Sequence, residues 1–271
     1  MAEKSAKPLI IFNGDCTCDA WRRAGGTGEF LVWRENYLEG PLPADGPIED
    51  FEAARAAFLH RCVPEYREDR LYDFLLSLDR RVLALTAEDT VLLHFDCCMY
   101  DMVMLARILF LMKDSRAEVR LHCEASAFPS RDEGLYRREP SAFPRLTRAE
   151  IAVFAAAWDA ILHGTARVAA FNRSGKAESL PFLAEAMRRY EADHPADGGM
   201  GETLRRLCAL VCEERLAGFP EIFRAFNARE KYPFMGDTMC QRLLDELAAR
   251  GLLQKTGTPD APRYLPAKET I

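Results

Sequence analysis

A chain of 271 residues that is 49% hydrophobic and 29% charged has the composition of a folded protein with one large domain or two ordinary ones, which excludes disorder. Its formal net charge of −6 and pI near 5.5 exclude a general nucleic-acid or acidic-membrane binder, whose phosphate-dominated affinity needs a basic surface. The longest apolar run, Met99 to Met112, falls short of the roughly 20 residues that cross a bilayer and is broken by Asp101 and Arg107, so no membrane association is expected.

The segment Met1 to Pro8 carries Glu3, Lys4 and Lys7 and no apolar signal core. Nine scattered cysteines form no small-domain disulfide framework and fit a reducing compartment. Both features predict a cytoplasmic protein.

In chain order, Pro8 to Asn13 is continuously apolar, as a strand buried on both faces must be. Gly14-Asp15 breaks it, Cys16 to Ala24 predicts a short helix, and Gly25 to Gly28 closes that helix before a second strand, Glu29 to Trp33. Glu35 to Pro47, rich in proline and glycine, reads as a long ordered loop, a kind of segment that is often functional. Helices are predicted over Ile48 to Arg61, with Phe51, Ala54, Phe58 and Leu59 near one face, and over Glu65 to Arg80. Thr90 to Phe95 predicts a third strand, Met99 to Met112 its helix, and Glu118 to Cys123 a fourth strand. This alternation predicts an α/β domain over residues 1–145 with a mainly parallel, Rossmann-like open sheet.

From Thr147 the pattern becomes helical, so residues 146–271 are expected to form a helical region. Thr147 and Glu150 fit a capping box ahead of Ile151 to Leu162, and further helices are expected at Ala177 to Ala192 and Glu202 to Arg215. His194 to Gly201 reads as a flexible linker, and Asn172 to Lys176 as a basic turn. Residues 202–266 have the order of a winged helix: Glu202 to Arg215, Pro220 to Phe226 and Asp237 to Arg250, then Leu252 to Lys255 and Arg263 to Leu265 around a turn. Its third helix, the one that would enter a DNA groove, offers Asp237, Asp245 and Glu246 against Arg242 and Arg250, a poor phosphate-facing set.

Three junctions stand out: Asn13-Gly14-Asp15 after the first strand, Val32-Trp33-Arg34-Glu35 with Leu38-Glu39-Gly40-Pro41 after the second, and Asp96 to Leu105 after the third. With Tyr232 to Asp237 near the end, they resemble a bacterial family known as domain of unknown function 1835 and its helical companion domain. The resemblance implies the fold and the location of a site at the strand ends, and no activity. This chain has Asp101-Met102 where the family pattern has Asp-Gln, so no role of that glutamine carries over.

Open α/β sheets bind ligands outside the carboxyl ends of their strands, and the three junctions collect polar groups there. Asn13, Gly14, Arg34, Glu39 and Asp101 are the candidate ligand-binding residues, with Asp15, Glu35 and Asp96 as candidate catalytic carboxylates. Arg34 can clamp a carboxylate or phosphate, or else pair with an acid and fix its loop. Asp15 can take part in such a site or cap the following helix with help from Thr17. If Asp15, Glu35 and Asp96 converge, their oxygens suit a hard cation such as Mg²⁺. His94, in a strand buried on both faces, reads as a core residue ahead of a catalyst. The thiols of Cys16, Cys18, Cys97 and Cys98 either face one another across the crevice or serve as small buried hydrophobes. The expected function is binding of an anionic or nucleotide-like small molecule, with or without turnover. The alternative is a ligand-sensing regulator that binds DNA or a protein partner through its C-terminal region.

Overall fold

Four short strands carry the apolar runs: β1 (Leu9–Phe12), β2 (Phe30–Val32), β3 (Thr90–Asp96) and β4 (Glu118–Glu124). They form one all-parallel sheet in the order β2-β1-β3-β4, with Ile10 opposite both Phe30 and Leu92 and Phe12 opposite both Val32 and His94. The structure, a computed structural model, describes residues 8–124, 134 and 138–267.

The connections are helical. α1 (Asp15–Arg23) joins β1 to β2, α2 (Ile48–Cys62) and α3 (Glu68–Leu83) join β2 to β3, and α4 (Met99–Leu111) joins β3 to β4. The chain moves one way across the sheet from β1 to β2 and the other way from β3 to β4. Right-handed crossovers therefore place α1 on one face and α4 on the other. The result is the α/β, Rossmann-like architecture read from the sequence, with its topological switch point between β1 and β3. Trp21 and Cys18 of α1 pack against Ile10, Phe12 and Val32. That packing requires Gly26, where an added Cβ would come within 2.2 Å of the Trp21 ring.

The helical region follows as α5 (Arg148–Leu162), α6 (Thr165–Arg173), α7 (Pro181–Asp193), α8 (Glu202–Cys212), α9 (Phe219–Asn227) and α10 (Asp237–Ala249), then the antiparallel hairpin β5 (Leu253–Thr258) and β6 (Ala261–Pro266). Thr147 and Glu150 form the capping box of α5. α6 has no counterpart in the sequence reading, and the Asn172 to Lys176 segment is its end and the turn that follows. Contacts divide the chain into two units, Met1–Met187 and Arg188–Ile271, a boundary later than the change of pattern near Thr147. The reason is α5, whose buried Ile151, Phe154 and Trp158 belong to the core of the sheet-bearing unit, where Trp158 packs edge-on against Tyr37 and Phe51.

α2 buries a different face from the one its apolar residues suggest. Phe51, Glu52, Arg55 and Ala56 are buried, while Ala54 is partly exposed. Charged side chains go inside because partners await them: Arg107 of α4 reaches both Glu52 and Asp79 of α3 with one nitrogen, and its guanidinium lies 4.6 Å from the Phe51 ring centre. In the second unit, α10 uses its charges internally. Asp245 accepts from Tyr264 Oη and Lys255 Nζ, and Glu246 pairs with Arg250.

Candidate functional site

At the carboxyl ends of β1 and β2 lies a pocket of about 700 Å³, inside the usual range for small-molecule sites. Asn13, Gly14 and Asp15 after β1, Trp33 to Asn36 after β2 and Tyr100 of α4 line it on the sheet side. Opposite stand Leu59 and Val63 at the end of α2, Tyr66 and Arg67 in the connection, and Arg70, Leu71 and Phe74 of α3. Of the eight residues expected from the sequence, the lining includes Asn13, Gly14, Asp15, Arg34 and Glu35, and leaves out Glu39, Asp96 and Asp101.

Arg34 faces Asp15 in a two-point fork, Nε to Oδ2 at 2.7 Å and Nη2 to Oδ1 at 2.6 Å. Its guanidinium also lies 5.3 Å from the centre of the Phe74 ring, which supports it from the pocket wall. The Arg34 hydrogen bond holds the Asp15 carboxyl below its usual range. Asp15 is therefore not the helix cap: Gly14 occupies the N-cap position of α1 without a side-chain hydrogen bond, and the Thr17 hydroxyl donates to Asn13 Oδ1. An added Cβ at Gly14 would meet nothing within 4 Å, so the space beside Asp15 is open.

Glu35, next in the chain, is turned inward and fully buried on Arg55. Arg55 spends every guanidinium donor on the loop: Nη2 on Glu35 Oε1 and the Asn36 carbonyl, both at 2.6 Å, Nε on Glu35 Oε2 at 3.3 Å, and Nη1 on the carbonyls of Glu39 and Pro41. Tyr100 Oη adds a hydrogen bond to the Glu35 carbonyl at 2.7 Å. Glu39 accepts from the Asn36 amide within the same loop. Gly40, at φ +78°, passes over the Phe58 ring, which an added Cβ would approach to 2.5 Å.

At the switch point between β1 and β3 the polar groups bond to one another. Asp101 Oδ2 accepts from the Asp96 backbone N–H and from Asn13 Nδ2, both at 2.5 Å. Asp101 is buried, and burial pushes its carboxyl up to about 8 against the opposing pull of those two donors. Asp96 is also buried and accepts from the Cys97 N–H at 2.7 Å. Asp101 thus ties Asn13 to the Asp96 N–H between β1 and β3, while the pocket described above lies beside β2.

The three expected catalytic carboxylates thus have separate settings: Asp15 on Arg34, Glu35 on Arg55, Asp96 beside Asp101 and Cys97 at the switch point. Among the described residues no group of three or more His, Cys, Asp or Glu side chains is placed to hold a metal ion, so the convergence that Mg²⁺ would require is not formed. Cys18, Cys97 and Cys98 are buried and Cys16 is exposed; burial pushes Cys97 up to about 12 and raises Cys98 as well. His94 is a core residue stacked on Phe12, its Nδ1 3.1 Å from that of His122, and burial pushes it down to about 3.

Sequence reasoning missed Arg55, Tyr66, Arg67 and Arg70. Arg55 had one legible signal, a charge among the apolar positions of α2. The other three come from the turn between two helices and the start of the second, which only the crossover from β2 to β3 brings over the strand ends. Arg67 pairs with Asp69, while Arg70 is exposed and forms no salt bridge among the described residues. Among the described residues no helix is long and apolar enough to cross a membrane. Compared with protein-family models, with curated proteins and with solved structures, the chain matches none.

Proposed function

We propose that this pocket binds an anionic small molecule with an apolar or aromatic part, of which a nucleotide is the type, in a cytoplasmic protein. One observation carries the reading: Arg34, Arg67 and Arg70 share a cavity of about 700 Å³ with Tyr66, Leu71, Phe74 and Tyr100. Guanidinium forks suit phosphate and carboxylate oxygens, and an aromatic wall suits a planar ring. Of the two acids in the lining, Glu35 is neutralised from behind by Arg55 and Asp15 engages Arg34 alone, so Arg70 and Arg67, the latter paired with Asp69 outside the lining, keep the pocket cationic. The site's place at the strand ends agrees with what the resemblance to the uncharacterised bacterial family implies. The reading is one of binding, because both lining carboxylates are engaged by arginines.

Thermal unfolding against nucleotides, sugar phosphates and amino acids, each with Mg²⁺ and with chelator, tests it. A ligand at 100 times its dissociation constant adds about 2.7 kcal/mol, a shift of several degrees. That shift is expected for phosphorylated compounds and is expected to vanish in Arg34→Gln/Arg70→Gln. No shift across the panel refutes the reading.

A second reading, a regulator whose C-terminal unit is a winged helix that binds DNA or a protein partner, rests on the order α8-α9-α10-β5-β6. A salt-sensitive mobility shift with duplex DNA would support it.

A further inference from the structure

Resting on the pocket reading, we propose that the ligand presents a pair of anionic oxygens to Arg34, and that the Asp15 carboxylate holds that place as a built-in competitor and is exchanged when the ligand binds. The geometry is that of a carboxylate ligand: both Asp15 oxygens meet the Nε and Nη2 edge of Arg34 at 2.7 and 2.6 Å, inside the cavity. A carboxylate or phosphate from solution fits the same edge with the same two bonds.

Three features make the pair exchangeable. First, it is wet: the side chains are 50% and 58% exposed, so the pair contributes little to folding. Second, it is not needed to hold the loop after β2, because Arg55 and Tyr100 already tie the backbone at residues 35, 36, 39 and 41. Arg34 itself keeps its support on Phe74 after release. Third, the displaced carboxylate is not stranded. Asp15 is the first residue of α1, where the helix dipole favours a negative charge, and Arg22 two turns further on also attracts it. Gly14 leaves open space next to it for the swing. The neighbouring pair, Glu35 with Arg55, has none of these properties, being fully buried with every donor used.

The consequence is a reversed expectation for an acid in a binding pocket: removing it tightens binding. The test is calorimetric titration of the full chain with inorganic pyrophosphate, phenyl phosphate and benzoate, in chelator, for wild type, Asp15→Asn and Asp15→Ser. Because an exposed pair of this kind contributes little, the gain expected in both variants is about two- to fivefold in affinity. It should disappear on the Arg34→Gln background. The phosphate and carboxylate arms show which oxygens the site prefers. Asp19→Asn removes one acid from the exposed side of the same helix and should leave affinity unchanged.

Equal gains in Asp15→Asn and Asp19→Asn would mean a general charge effect and overturn the exchange. Unchanged or weaker binding in both Asp15 variants would overturn it too, while wild-type binding that Arg70→Gln weakens would leave the pocket reading intact. If no anion saturates any of the proteins, both fall together.

Discussion

Arg34 and Glu35 are adjacent in the chain, yet the mouth of the pocket and the loop wall behind it treat them as different kinds of residue. At the mouth, Arg34 and Asp15 form a half-exposed pair in which each partner can be replaced by water or by a solute. In the wall, Glu35 and Arg55 are wholly buried, and Arg55 also satisfies carbonyls that the irregular loop would otherwise leave unpaired. One side chain points out and the next in, and burial then decides the energetics. Exposed pairs contribute roughly 0–1 kcal/mol, whereas breaking one partner of a buried pair costs about 3–5 kcal/mol.

The largest test of this contrast is Arg55→Met. It strands the Glu35 carboxylate and three loop carbonyls, and denaturant unfolding should show a loss of about 3–5 kcal/mol. A loss below about 1 kcal/mol would place the wall and the mouth in the same class and remove the comparison.

Gly40→Ala probes the wall from the backbone side. A side chain at φ +78° that also meets the Phe58 ring is strained twice, and a loss of about 1–3 kcal/mol is expected in the same assay.

A smaller effect concerns pH and the second buried cluster. Burial, with Asp79 adding to it, raises the Glu52 carboxyl to about 9, so the folded protein keeps a proton there that the unfolded chain releases near the ordinary carboxyl value of 4.5. Stability from this group is complete below that ordinary value and is lost as pH rises through about 9. Glu52→Gln should therefore flatten the alkaline side of the stability profile by about 1 kcal/mol or more, read as unfolding midpoints from pH 5 to pH 9. An unchanged alkaline slope in the variant would show that Glu52 is ionised beside Arg107. The smallest effect belongs to the mouth: Asp15→Asn should change stability by no more than about 1 kcal/mol at neutral pH, and less at high salt. A larger loss would mean that the Asp15 pair is structural after all.

By itself, the sequence determined the alternation of strands and helices, the four strands, the capping box at Thr147 and Glu150, and the gathering of polar junctions at the strand ends. These are local properties: apolar runs, turn residues and caps act within a few positions of one another. It also pointed to Asn13, Gly14, Asp15 and Arg34, because a junction that follows a strand must sit at the sheet's carboxyl edge. Only the tertiary structure decided which of these residues share a cavity. The order β2-β1-β3-β4 carries the α2–α3 connection across the strand ends, and so supplies Tyr66, Arg67 and Arg70 from a stretch with no motif. Long-range pairing likewise turned Glu35 into a buried counter-ion for Arg55, set Asp101 against Asn13 and the Asp96 N–H, and left Arg34 to Asp15. A carboxylate's role is fixed by the charge and burial of what lies across space from it, and those partners stand 20, 88 and 19 positions away in the chain for Glu35, Asp101 and Asp15, beyond the reach of any local pattern.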